Sequence, residues 1–249
     1  MNRIGLLSTI AALSLGCAAV PAMAGNDQTP PGDPCGLGPG QGTGNPCNGN
    51  DGNQGANGNA NKEEVRIDDD PASFAIERPG SDRGAYITQI GSGATATIGQ
   101  RSSSQYAGVV QEGDGNRAQV AQDGPGAHFA LLTQTGDGNE ADLLQGGTSE
   151  QVAILSQQGD GNLLMISQEG LLASNGVLAT QLGSDNELNL TQRGDGNQAM
   201  LVQEGSGNLM TAAQLGNDNQ LAWTQSGDNL SDLQITQGGG QAMQITQSR

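Results

Sequence analysis

The sequence predicts an all-β chain: a β-solenoid of about seven strand–turn–strand repeats of 22–24 residues, preceded by a disordered Gly/Asn-rich arm. Three observations carry this. Glutamines recur at a spacing that is usually eleven residues. Between them, apolar and polar residues alternate at period two, the signature of a strand with one face turned to a core. Every change in spacing falls in a glycine-rich segment, never inside an alternating one.

The first segment, "MNRIGLLSTIAALSLGCAAVPAMAGNDQ", has a basic Arg3, an apolar run from Ile4 to Val20 and "AMA" before Gly25. That order predicts a secretory signal peptide over 1–24, cut after Ala24. The run is too short and too rich in Ala and Gly to favour a membrane span. Cys17 follows "SLG", but Ser14 stands where lipid attachment wants an aliphatic residue, which disfavours lipidation. The signal implies an exported chain.

Residues 25–62 are Gly, Asn, Pro, Gln and Asp with almost no aliphatics. Such a segment buries too little surface to offset its ordering entropy, so a low-complexity disordered arm is expected. It holds Cys35 and Cys47. An oxidising compartment favours a disulfide between them; two free thiols are the alternative. Residues 63–83 form an irregular lead-in, in which "EVRI" and "SFAIERPG" have the character of short strands.

The repeat domain is expected over 84–249. Counting back in twos from Gln122 gives Val120, Ala118 and Asn116; from Gln168, Ile166, Leu164 and Asn162; from Gln192, Leu190, Leu188 and Asn186; from Gln225, Trp223, Leu221 and Asn219. The rule, polar–x–apolar–x–apolar–x–Gln, survives the irregular gaps: His128, Ala130 and Leu132 keep it before Gln134, and Asn175, Val177 and Ala179 before Gln181. Strands resist slips because a shift of one residue turns the apolar set outward, whereas turns tolerate insertions.

The turns alternate in kind. Those after Gln89, Gln111, Gln134, Gln157, Gln181 and Gln203 have four residues, as in "EGDG" and "LGSD"; those after Gln100, Gln122, Gln145 and Gln168 vary. The repeat is therefore strand, tight turn, strand, loose turn. Stacked at about 4.8 Å per rung, seven such units stand roughly 34 Å tall. Like residues then lie over like. One column holds Gln111, Gln134, Gln157, Gln181, Gln203 and Gln225; another holds Asn116, Asn139, Asn162, Asn186 and Asn208. Gln122, Gln145, Gln168, Gln192, Gln214 and Asn219 complete the expected ladder set. A stacked column of amides lets each bond the next, offsetting a burial that would be costly alone. With 2 % aromatics, the core between the columns must be thin.

The net charge of −17, with only nine Lys and Arg, argues against a nucleic-acid partner and against anionic membranes. No segment after residue 24 is apolar enough for membrane insertion. Asp114, Asp137, Asp160 and Asp195 sit in the tight turns, but each turn offers one carboxylate where calcium wants six to eight oxygens. They read as solvated turn residues. "GDGN" is no phosphate cradle, since neither Lys nor helix follows it. His128 takes the inward polar place of its strand and reads as a ladder member. No catalytic, cofactor-binding or metal-ligating set is expected, and no cofactor.

The units "QEGDGNRAQVAQ", "QTGDGNEADLLQ", "QQGDGNLLMISQ", "QEGSGNLMTAAQ" and "QLGNDNQLAWTQ" resemble the curlin repeat over about 84–249. Curlins are subunits of curli, the secreted amyloid fibres of bacterial biofilms. The resemblance implies a subunit that polymerises with itself, a nucleator subunit and outer-membrane export machinery as partners, and a secreted, extracellular cell-surface fibre, reached through the periplasm and serving adhesion and biofilm matrix. The family usually has Ser six residues before a repeat's first Gln; Gln105, His128, Gln151, Asn175, Asn197, Asn219 and Gln241 stand there in this chain. Major subunit, nucleator and a divergent third component stay open. The alternative is a monomeric extracellular solenoid that binds a surface, glycan or ice. On the fibre reading, the rung ending at Arg249 is expected to have no cap and to dock on the first rungs of another copy.

Overall fold

The computed structural model describes residues 63–249. The expected signal peptide over 1–24, the expected arm over 25–62, Cys17, Cys35 and Cys47 lie outside the described residues.

Sixteen strands follow one another without a helix among the described residues. They are β1 Glu64–Asp68, β2 Gly84–Ile90, β3 Thr95–Gln100, β4 Tyr106–Glu112, β5 Arg117–Gln122, β6 Phe129–Thr135, β7 Glu140–Gly147 and β8 Gln151–Gln158. The series continues with β9 Leu163–Gly170, β10 Asn175–Leu182, β11 Glu187–Arg193, β12 Gln198–Glu204, β13 Leu209–Leu215, β14 Gln220–Ser226, β15 Leu233–Gly238 and β16 Ala242–Ser248. From β2 onward, even-numbered strands stack into one parallel sheet and odd-numbered strands into the other. The chain is a β-solenoid of about seven turns. Each turn contributes one strand to each sheet, because the corners are too short to do anything but fold the chain across the core.

Register follows the glutamines. Gln89 lies beside Gln111, Gln111 beside Gln134, and so on to Gln225 beside Gln247; in the second sheet Gln100 lies beside Gln122 and Gln214 beside Gln237. The longer corners change nothing in this pairing: Gln157 still faces Gln181 across a gap of 24 residues. Between the glutamine columns run small aliphatics, with Ala107, Ala130, Ala153, Val177 and Ala199 in one column and Val109, Leu132, Leu155 and Leu201 in the next, all buried. Trp223 is the largest buried side chain and stands in the second column under Ile245.

The two glycines of the tight turn do different work. The first, as at Gly113, Gly136 or Gly205, has φ between 110 and 114°. A Cβ on Gly136 would stand 2.2 Å from the carbonyl oxygen of Gly159 in the next rung. The second has open space at Gly138 (φ 66°), and at Gly161, Gly196 and Gly207 a Cβ would crowd only an Asp or Asn side chain of the next rung, not its backbone. Asp185 (φ 56°), Asp218 (φ 59°) and Asn229 (φ 48°) take that place in other rungs. Only the first position is closed to a side chain; the second asks for a left-handed residue, which Asn and Asp also supply.

The lead-in supplies the main departure from expectation. The edge of β16 is covered: β1 pairs with it antiparallel, Val65 beside Gln247 and Ile67 beside Ile245. "EVRI" therefore belongs to the far end of the solenoid, where its alternation places Val65 and Ile67 on the core side of the sheet. From β1 the chain runs back along the outer margin of the even-numbered sheet. The backbone N–H of Phe74 donates to Gln220 Oε1 (3.3 Å) and that of Ile76 to Gln198 Oε1 (2.8 Å). Gly176 makes room for this strap, since a Cβ there would come within 2.7 Å of Ile76 Cβ. Arg78 lies 5.4 Å over the Phe129 ring and donates to Ala127 O. Phe129 continues a ring stack through Tyr106 to Tyr86.

The contrast between the two glycines is testable by denaturant unfolding of the monomer. Gly136→Ala should lose about 1–3 kcal/mol, and Gly138→Asn should stay within about 0.5 kcal/mol of the parent.

Candidate assembly interface

From Gln111 to Gln225 in one sheet and from Gln122 to Gln214 in the other, each inward glutamine uses its whole amide. In the even-numbered sheet Nε2 of one rung donates to Oε1 of the next: Gln89 to Gln111 (2.6 Å), Gln111 to Gln134 (2.7 Å), Gln134 to Gln157 (2.7 Å), Gln157 to Gln181 (2.9 Å), Gln181 to Gln203 (2.9 Å), Gln203 to Gln225 (2.9 Å) and Gln225 to Gln247 (2.8 Å). The second sheet repeats this from Gln100 through Gln122, Gln145, Gln168, Gln192 and Gln214 to Gln237 at 2.7–2.9 Å. The other Nε2 hydrogen crosses the core to a backbone carbonyl of the opposite sheet, as from Gln157 to Glu140 O (3.0 Å) or from Gln192 to Gly176 O (3.0 Å). One hydrogen runs along the axis and one ties the two sheets together. Beyond the first rung's exposed Gln89 and half-buried Gln100, these amides are fully buried yet bonded at both donors, the condition under which burial is tolerable.

Asparagines fasten the corners. Asn116, Asn139, Asn162, Asn186 and Asn208 each accept at Oδ1 from a backbone N–H of the next rung, at 2.9–3.1 Å. Their Nδ2 groups donate to the first turn glycine of that rung, as from Asn116 to Gly136 O (2.7 Å) and from Asn139 to Gly159 O (2.6 Å). This is the carbonyl that a Cβ on the glycine below would strike, so Asn and Gly are fixed together. Asn219 belongs to the other corner, above Asn197, whose Oδ1 accepts its backbone N–H (3.1 Å).

The turn aspartates form a third column, which sequence reasoning left to solvent. Ser92 N donates to Asp114 Oδ1 (2.7 Å), Asp114 N to Asp137 Oδ1 (2.7 Å) and Asp137 N to Asp160 Oδ1 (2.8 Å). Asp195 accepts from the N–H groups of Leu171 and Leu172 in a loose corner. The bond from Ser92 holds the Asp114 carboxyl below the usual carboxylate range, and those from Leu172 and Leu171 do the same for Asp195. The signal was present in the recurrence of Asp at one turn position. His128 is buried, with Nε2 2.9 Å from Asp123 O, and burial lowers its pKa. Among the described residues no group of three or more His, Cys, Asp or Glu is placed to hold a metal ion.

The geometry is thus a stack in which every rung offers the same bonds upward and accepts the same bonds from below. The curlin associated repeat family matches residues 95–124, 129–170 and 183–216. Residues 95–216 thus carry curlin associated repeats. The three matches cover curlin repeats lying in consecutive turns of the solenoid, with the Gln and Asn columns running through all of them. No curated protein and no solved structure gives a significant match to the chain.

At the β16 end the glutamine column of the curlin repeats ends on a carboxylate. Gln247 Nε2 donates to Glu63 Oε1 and to Ser231 O. Ser231 gives Glu63 Oε2 both its N–H (2.9 Å) and its hydroxyl (2.7 Å), and Arg249 lies 3.6 Å away. Glu63 is held below its ordinary value of 4.5, first by the Gln247 bond, then by Ser231 and Arg249, against an opposing desolvation. At the β2 end, Gln89 Oε1 and Gln100 Oε1 receive no donor among the described residues.

Two outcomes are expected. Gln157→Leu removes one of the two acceptors of Gln134 Nε2, the donor to Gln181 Oε1 and a side-chain donor to the carbonyls of Glu140 and Asn162, and should cost about 1–3 kcal/mol per group that stays unpaired, while outward Gln119→Leu changes little. For Glu63 the folded pKa is depressed, so its contribution is present above 4.5 and lost as pH falls through the lowered value. Amide exchange in β1 and β16, compared between Glu63→Gln and the parent at matched pH, should be faster in the variant near neutrality. The two should converge in acid.

Proposed function

We propose that this chain is a structural subunit of secreted curli-like amyloid fibres, adding copies end to end by continuing the rung stack, in service of cell adhesion and biofilm matrix. One observation carries the reading: the inter-rung bonding has a fixed polarity that repeats without change. Donor glutamines point toward β16, and acceptors without a donor, Gln89 and Gln100, lie at β2 and β3. The glutamine columns are therefore complementary at their two ends, and a second copy would extend them once Gln247 is released from Glu63. Unpaired strand edges are templates for further strands, and identical side chains in register are what stabilises cross-β stacks. Tyr86, Ile87 and Ile90 on β2 are largely exposed, and stacking would bury them. The curlin associated repeats support the same reading. On it, a nucleator subunit and outer-membrane export machinery are the expected partners, with the N-terminal segment directing secretion. The acidic charge keeps copies apart during export.

Dilution of the chain from denaturant should give seedable amyloid-dye fluorescence and fibre reflections at about 4.7 and 10 Å. A chain that stays monomeric and unseedable would instead fit a solitary surface-binding solenoid.

A further inference from the structure

The even-numbered sheet is bare at one end and closed at the other, while the odd-numbered sheet ends on β15 with no strand beyond it among the described residues. Beyond β2 no strand follows among the described residues, whereas β16 is covered by β1 over five paired residues. The cover imitates a rung at the ladder. Gln247 Nε2, which in every lower rung would donate to the side-chain oxygen of the next glutamine, donates to Glu63 Oε1 in its place. Glu63 thus stands where Gln89 Oε1 of a second copy would have to stand.

The cover is also unlike a rung in ways that stop further growth. It runs antiparallel where every other pair is parallel. Its core-side residues Val65 and Ile67 are 42 % and 60 % exposed, so they lack the opposing sheet that seals every inner rung. Glu64, Arg66 and Asp68 alternate with them, and an edge studded with charge is a poor template. The cover is tethered as well. Residues 69–83 span the roughly 38 Å between β1 and β2 along the outside of the sheet, against a fully extended reach of about 50 Å. Phe74, Ile76 and Arg78 pin the strap as it goes. A tethered strand competes at an effective concentration in the millimolar range, far above any free copy.

We propose that residues 63–68 are a displaceable cap, which keeps the monomer from stacking and must leave β16 before the first rung of a second copy can take its place. The inference rests on the fibre reading above and adds a gate to it. An incoming first rung brings two parallel strands and buries exposed β2 side chains, so it outbids the cap only once copies are concentrated. Below that concentration the chain stays closed.

Arg66 and Thr246 are directly paired on the outer face of β1 and β16. Opposed antiparallel residues lie within disulfide reach. In the full chain with Cys17, Cys35 and Cys47 changed to Ser, Arg66→Cys/Thr246→Cys locks the cap when oxidised. Oxidised protein should assemble at least about tenfold more slowly than the same protein with reductant added, because the competent fraction is withdrawn. Val65→Ser/Ile67→Ser, which weakens the cap without touching the sealed core, should shorten the lag relative to the parent. Equal assembly in the oxidised and reduced states, or an unchanged lag in the second variant, overturns the cap and leaves the fibre reading standing. Failure of the parent itself to assemble overturns both.

Discussion

The structure depends on one bond repeated: a glutamine amide donating to the amide oxygen of the glutamine one rung along. It sets the distance between rungs, since backbone pairing and side-chain bonding must be met by the same spacing of about 4.8 Å. It also sets what occupies the interior. A polar group this well buried is tolerable only when both donors are used, and the second donor reaches across the core to the opposite sheet. That crossing bond limits how far apart the sheets can stand. The interior between them then has room for alanine, valine and leucine, with a single Trp223. The poverty in aromatics follows from the ladder.

The same constraint explains where the chain varies. A residue added inside a strand would move a glutamine to the outer face and break two columns of bonds. A residue added in a loose corner does neither, and "EGLLAS" after Gln168 is absorbed while Gln157 and Gln181 stay paired. Tight corners have less freedom because Asn Nδ2 reaches the carbonyl of the turn glycine in the next rung. The glycine must leave that carbonyl open, so the first turn position is fixed and the second is free to be Gly, Asp or Asn.

Most of this was legible in the sequence because it is periodic and local. Gln and Asn at fixed phase gave the strands, the columns and the fold. The aspartate column was harder to see: a carboxylate in a turn looks solvated until the next rung is laid over it and its oxygen meets the backbone N–H groups below. The cap was not legible. "EVRI" is too short for its alternation to name a partner, and its partner strand lies more than 170 residues away. The charged lead-in carries no glutamine at the repeat phase, and Glu63 substitutes for one by chemistry that no period reveals. Gly176 is another such case, since it reads as an ordinary strand glycine until Ile76 is found against it.

The central claim is that the glutamine column continues from one molecule into the next with unchanged polarity. Fibres grown from a mixture of copies carrying ¹⁵N-labelled glutamine and copies carrying ¹³C-labelled glutamine isolate the contacts between molecules in solid-state NMR. The account predicts a cross-peak joining Gln247 Nε2 of one copy to the Gln89 side-chain carbonyl of another. Contacts between two Gln89 residues, or no intermolecular glutamine contact at all, would contradict it.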